Sequence, residues 1–165
     1  MKHATFPSLL LMALLTVLFA SCASTQNSGL SKAEMKRQRA ENVRQALYDR
    51  QFTINVTSAH PTSFPPVNLT TPYSLEVRGD SVISYLPYYG RAYSVPYGGG
   101  KALNFSGKMN GYDISRSKKE YNIKMAIENE EDKYLYYIDV FDNGHASILV
   151  SCQNRTDILF YGEME

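Results

Sequence analysis

From Leu86 to Tyr97 the chain reads Leu-Pro-Tyr-Tyr-Gly-Arg-Ala-Tyr-Ser-Val-Pro-Tyr, the stretch whose residue types best suit holding another molecule. With Tyr85 just ahead of it, five tyrosines (Tyr85, Tyr88, Tyr89, Tyr93 and Tyr97) surround Arg91 and two prolines. A tyrosine offers a flat apolar face and one hydroxyl, suited to stacking on a sugar, a peptide or an aromatic ligand. Arg91 adds a charge and a planar stacking partner. The competing reading is a twisted strand pair whose tyrosines pack in the core or on the sheet face, as β-propensity favours.

Other chemistry-bearing patterns are sparse. Gly98-Gly99-Gly100-Lys101 lacks the spacing of a phosphate loop and no helix follows it. His60 precedes a proline in a loop and His145 follows a hairpin glycine, and neither has a cysteine or carboxylate at metal-ligand spacing. No Gly-x-Ser-x-Gly, His-Glu-x-x-His or catalytic Cys/His signature is present, and the acidic residues are spread along strands and turns. The expectation is therefore no enzyme activity, no metal and no cofactor. Cys152 ends an apolar strand, the usual setting of a buried, inert thiol.

The N-terminus carries an address. Met1-Lys2-His3 is a short positive start, Leu9 to Ala20 is apolar except for Thr16, and Ala20-Ser21 precede Cys22. Charged, apolar and small-residue segments in that order form a secretory signal. The apolar run is shorter than the roughly 20 residues that cross a bilayer. A cysteine directly after the small residues resembles the lipobox of bacterial lipoproteins, with Phe19 where leucine is usual and Ser21 where glycine or alanine is usual. That resemblance implies removal of residues 1–21, lipidation of Cys22 and stable anchoring by several acyl chains. Residues 22–30, small and polar, then read as a flexible tether, and residues 31–165 as one domain. Loss of Lys2 leaves sixteen of the seventeen Lys and Arg against sixteen Asp and Glu, a neutral balance that gives no reason to invoke nucleic acid.

Ser31 and Glu34 form a Ser-x-x-Glu capping box, so an amphipathic helix is expected over residues 32–50. Met35, Val43, Ala46 and Leu47 give it a thin apolar stripe, and its surplus of Lys and Arg can also touch anionic lipid headgroups. From Gln51 the period becomes two: Phe52, Ile54 and Val56 alternate with polar residues. Tyr73–Val77 and Val82–Leu86 flank a turn at Arg78–Ser81, and Ile123, Met125 and Ile127 alternate before a charged turn at Glu128–Asp132. Tyr134–Phe141 meets Ala146, Ile148 and Val150 through Asp142-Asn143-Gly144, a strong hairpin signal. A polar turn at Gln153-Asn154-Arg155 leads to Ile158 and Phe160. The fold expected is mainly β: an antiparallel meander of about eight strands forming an open barrel or sandwich, with one N-terminal amphipathic helix.

Arg50-Gln51-Phe52, Tyr73-Ser-Leu-Glu-Val77, Leu86-Pro-Tyr-Tyr-Gly-Arg-Ala-Tyr93 and the Asn143-Gly144 hairpin through Gly162 resemble the lipoprotein family of unknown function numbered 4251, found in Gram-negative gut anaerobes. The resemblance spans residues 36–163 and implies fold and location, since the family has no assigned activity. Surface lipoproteins of these bacteria carry acidic residues just after the cysteine; Ala23–Asn27 has none, which implies an outer-membrane lipoprotein facing the periplasm. Asp80-Ser81-Val82 resembles the Asp-[Ser/Thr]-apolar site at which these organisms O-glycosylate exported proteins, marking Ser81. The function expected is that of a binding or interaction module for an envelope glycan, peptide or protein, through the tyrosine-rich surface. The alternatives are a structural envelope lipoprotein without a small ligand and a lipocalin-like carrier of an apolar molecule.

Overall fold

The computed structural model describes residues 31–94 and 100–165. The signal segment, Cys22, the tether and Tyr97 lie outside the described residues. Lys32–Glu165 is one compact unit. Helix α1 (Lys32–Asp49) starts directly after Ser31, where the capping pattern puts it. It ends as Arg50 enters the left-handed region at φ 54°, with the Arg50 amide donating to the Leu47 carbonyl at 3.3 Å. Val43 and Leu47 are buried, Ala46 packs against the core, and Met35 is exposed. The apolar stripe is thus used only in its C-terminal half.

Eight strands follow: β1 (Gln51–Pro61), β2 (Val67–Arg78), β3 (Ser81–Tyr85), β4 (Asn104–Ser117), β5 (Glu120–Glu128), β6 (Lys133–Phe141), β7 (His145–Cys152) and β8 (Ile158–Met164). Every strand pairs antiparallel with its sequence neighbour, and β8 returns to β1 with Ile54 opposite Met164 and Pro61 opposite Ile158. The sheet therefore closes on itself, where the sequence pattern left an open barrel and a sandwich as alternatives. Closure gives β1 and β8, the first and last strands, a partner on both sides.

Closure needs coiling, and two irregularities supply it. The register shifts between Val56 and Ser58 on β1 and between Met109 and Tyr112 on β4, and such bulges raise local twist and bend the strand. The long β4 pairs with β3 through Asn104–Lys108 and with β5 from Met109 onward. Where β4 outruns β3, α1 meets it: the Tyr112 hydroxyl donates to the Leu47 carbonyl at 2.8 Å. The Arg50 guanidinium stands 5.0 Å from the Tyr112 ring centre. Across the same end Tyr48 meets Tyr121 edge-on, and Arg39 donates to the Met164 carbonyl.

Alternation sends Phe52, Ile54 and Val56, Leu75 and Val77, Ile123, Met125 and Ile127, Tyr136, Ile138 and Val140, and Ile148, Val150 and Phe160 into the core. An eight-stranded barrel is just wide enough for side chains to fill it. Here Tyr134, Tyr136, Phe160 and the β-branched residues do so. One polar chain through the interior is satisfied: Tyr136 donates to Ser84 Oγ at 3.1 Å, and Ser84 donates to the Leu103 carbonyl at 2.7 Å.

Candidate functional site

The barrel end opposite α1 gathers the β1–β2, β3–β4, β5–β6 and β7–β8 connections, and most of the tyrosine-rich segment lies there. Ala92 bridges to Arg155. The Tyr93 amide donates to the Asn154 carbonyl at 2.8 Å, and the Thr156 amide to the Arg91 carbonyl at 2.9 Å. The segment is thus pinned onto the β7–β8 turn as an added edge.

Tyr88 is the clamp. Its hydroxyl lies 2.9 Å from the carbonyl oxygens of Arg91 and Thr156 and 3.0 Å from Thr156 Oγ1. Burial pushes its pKa up, partly offset by Thr156. Gly90 permits this approach, since a Cβ there would run into the Tyr88 ring and the Thr156 hydroxyl.

Beneath the clamp is a buried charge cluster that the sequence does not announce. The Arg155 side chain is 5 % exposed and the Asp132 side chain 0 %. Arg155 Nη2 is 3.3 Å from Glu131 Oε2, and Arg155 Nε is 3.6 Å from Asp132 Oδ2. Asp132 Oδ1 also accepts the amides of Lys133, Gln153 and Asn154 at 2.8, 3.0 and 3.1 Å. Glu131 accepts the Lys101 and Ala102 amides at 2.9 and 3.3 Å. The Arg155 guanidinium sits 5.7 Å from the Tyr88 ring centre. This cluster therefore holds both ends of the segment that runs from β3 to β4. In sequence, Glu131, Asp132 and Arg155 read as turn residues; their burial follows from the two turns meeting at one barrel end.

The other aromatic residues divide. Tyr85 is exposed on the outer face of β3, its ring 5.1 Å from that of Tyr73 on β2. Tyr89 is exposed and, with Phe64, Pro65, Pro66, Val67 and Gly90, lines a groove of about 440 Å³. Tyr93, at 75 % exposed, is the most open of these rings, and Arg91 is exposed. Tyr85, Tyr89, Arg91 and Tyr93 are thus available to a partner, whereas Tyr88 is committed to the fold. Phe64 is an aromatic contributor that sequence reasoning passed over. Its proline-broken loop gave the signal, because an apolar ring there has no strand to bury it.

Ser81 is exposed at the start of β3, after Asp80, whose carboxylate takes a 2.9 Å bond from Arg50. Cys152 is half-buried with its thiol pushed up to about 12, chiefly by burial, so the nucleophilic thiolate is scarce at neutral pH. His60 stacks edge-on against Tyr161, and exposed His145 approaches Glu163 at 3.0 Å.

The chain is similar in fold to the crystal structure of a DUF4251 family protein from Bacteroides eggerthii DSM 20697. The TM-score is 0.58 at 12 % sequence identity, over 77 % of this chain and 87 % of that one. At that identity the likeness speaks for the fold alone. No curated protein matches. Residues 34–164 match the domain of unknown function DUF4251, and the chain belongs to that family.

Proposed function

We propose that this protein is a lipid-anchored envelope protein, tethered through Cys22 on the periplasmic side of the outer membrane, that binds a partner outside its barrel. The contact is the Phe64–Tyr89 groove with the neighbouring Tyr85, Arg91 and Tyr93. The observation that carries this reading is the division of aromatic residues between interior and rim. Tyr134, Tyr136 and Phe160 fill the barrel, while Tyr89, Tyr93 and Phe64 stand exposed at one end. A filled interior weighs against the lipocalin-like carrier. Inward positions are apolar, whereas outward positions such as Thr53, Asn55, Asn122 and Lys124 are polar. This is the reverse of a barrel that crosses a membrane with its strands.

The test is native mass spectrometry of residues 31–165 purified from the native periplasm, followed by titration of the recovered glycan or peptide. Replacing Tyr89, Tyr93 and Phe64 together by alanine should weaken binding at least tenfold and leave the melting temperature nearly unchanged. Equal affinity in wild type and variant overturns the reading. The anchor is tested separately: a Cys22→Ala chain should lose incorporation of a labelled fatty acid and leave the membrane fraction.

A structural role with a protein partner is favoured by a different observation. Tyr137 on β6, Leu149 on β7 and Leu159 on β8 stand opposite one another in register. They form an apolar row on the outer face, with Tyr137 and Leu149 exposed. Cross-linking in intact cells through this row would identify such a partner.

A further inference from the structure

The helix end of the barrel carries a second surface that the binding reading leaves unused. The β4–β5 hairpin turns through Lys118 and Lys119, both exposed, with Lys118 at φ 56°. Glycine or asparagine takes that left-handed conformation more readily than lysine. Lys119 and Phe141 line two adjoining grooves. One, of about 570 Å³, also includes Ser117, Lys118 and Glu120. The other, of about 320 Å³, also includes Lys36 of α1 with Asp142, Asn143 and His145. Phe141 stands 43 % exposed between them.

The charges here do not cancel. Three lysines line the two grooves against Glu120 and Asp142, and Asp142 is already paired with Arg116 at 3.3 Å. Lys36, Lys118 and Lys119 take part in no ion pair among the described residues. An aromatic ring set among unpaired lysines matches a phospholipid surface, where lysines meet headgroup phosphates and the ring enters the interface.

We infer that the Lys36–Lys118–Lys119–Phe141 rim docks on the anionic phospholipid surface to which the chain is tethered. The inference rests on the anchored-envelope reading above. Covalent length supports it: Lys32 follows Cys22 by ten residues, so extended chain puts the start of α1 no more than about 35 Å from the lipid. Lys36 lies about one helical turn further on. The Phe64–Tyr89 groove is at the opposite barrel end, so docking by the rim points that groove away from the membrane.

Residues 32–165 contain the whole closed sheet and its core, so the domain without its anchor is a fair test object. Its failure would refute the rim without touching Cys22. The domain should co-sediment with phosphatidylglycerol–phosphatidylcholine vesicles at low salt, not with pure phosphatidylcholine, and should release as salt rises from about 0.05 to 0.3 M. Lys36→Gln, Lys118→Gln and Lys119→Gln together should lower partitioning about a hundredfold, taking roughly fivefold per cation near the surface. Phe141→Ser should lower it severalfold.

Lys118→Gly is the decisive variant. It should raise the melting temperature by relieving the left-handed backbone while weakening partitioning about fivefold. Absence of binding to anionic vesicles at low salt overturns the inference. So does undiminished binding by the triple variant or by Lys118→Gly.

Discussion

Two adjacent tyrosines show how far residue type alone carries. Tyr88 and Tyr89 are identical in sequence terms, yet one hydroxyl is bonded to Arg91 and Thr156 while the other ring lines an open groove. Tyr88→Phe should cost about 1 kcal/mol, the usual net worth of a buried hydrogen bond; Tyr89→Phe should cost nothing measurable in urea unfolding. Asp132→Ala is the severe change, because it removes one of the two carboxylates that face the buried Arg155 guanidinium and orphans three backbone amides. A loss of about 3–5 kcal/mol is expected, as for other buried ion pairs deprived of one partner. Alkaline titration provides a further test. Burial raises the Cys152 thiol from 9.0 to about 12 and the Tyr134 phenol from 10.0 to about 12. The unfolded chain then binds fewer protons than the fold between those values. Stability should therefore be level below about pH 9 and fall as pH climbs toward 12. Cys152→Ala should flatten the thiol's part of that decline in urea midpoints measured from pH 8 to 11.

At the scale of elements, closure depends on how closely β8 approaches β1. A Cβ on Gly162 would run into the Asn55 carbonyl and the Val56 backbone beside the β1 bulge. Backbone cannot yield as a flexible side chain can, so Gly162→Ala should break the β1–β8 ladder. The expected sign is loss of soluble protein, or loss of amide-exchange protection confined to β1 and β8. The helix depends on Leu47, fully buried and tied by its carbonyl to Tyr112. Leu47→Ala should cost about 2–4 kcal/mol. Met35→Ala, at an exposed position of the same stripe, should fall within about 0.5 kcal/mol. The pair shows which half of α1 belongs to the core.

For the molecule as a whole, the barrel separates two ends of different chemistry around an interior lined by buried apolar and aromatic side chains. An apolar fluorescent probe should show no saturable uptake by the native domain; stoichiometric binding competed by a fatty acid would restore the carrier reading. The ends were unequally legible in the sequence. The tyrosine-rich stretch declared itself by composition. The Lys118-Lys119 tip and Phe141 did not, because they are separated along the chain and meet only when the β4–β5 and β6–β7 hairpins end side by side.

The alternation of apolar and polar residues was enough to place Phe52, Ile54, Val56, Ile123, Met125 and Ile127 inside and to set the strand character. A two-residue period leaves only one face to bury. Asn143-Gly144 was enough to locate a hairpin, as Gly144 at φ 90° bears out. Pairing between β1 and β8 was decided only in three dimensions. It joins residues roughly a hundred positions apart and carries no local signature. The burial of Arg155 and Asp132 was settled the same way: each sits in a turn that looks solvent-exposed until the closed barrel brings the two turns together, with the Tyr88 ring set against Arg155 and the Lys101 amide bonded to Glu131.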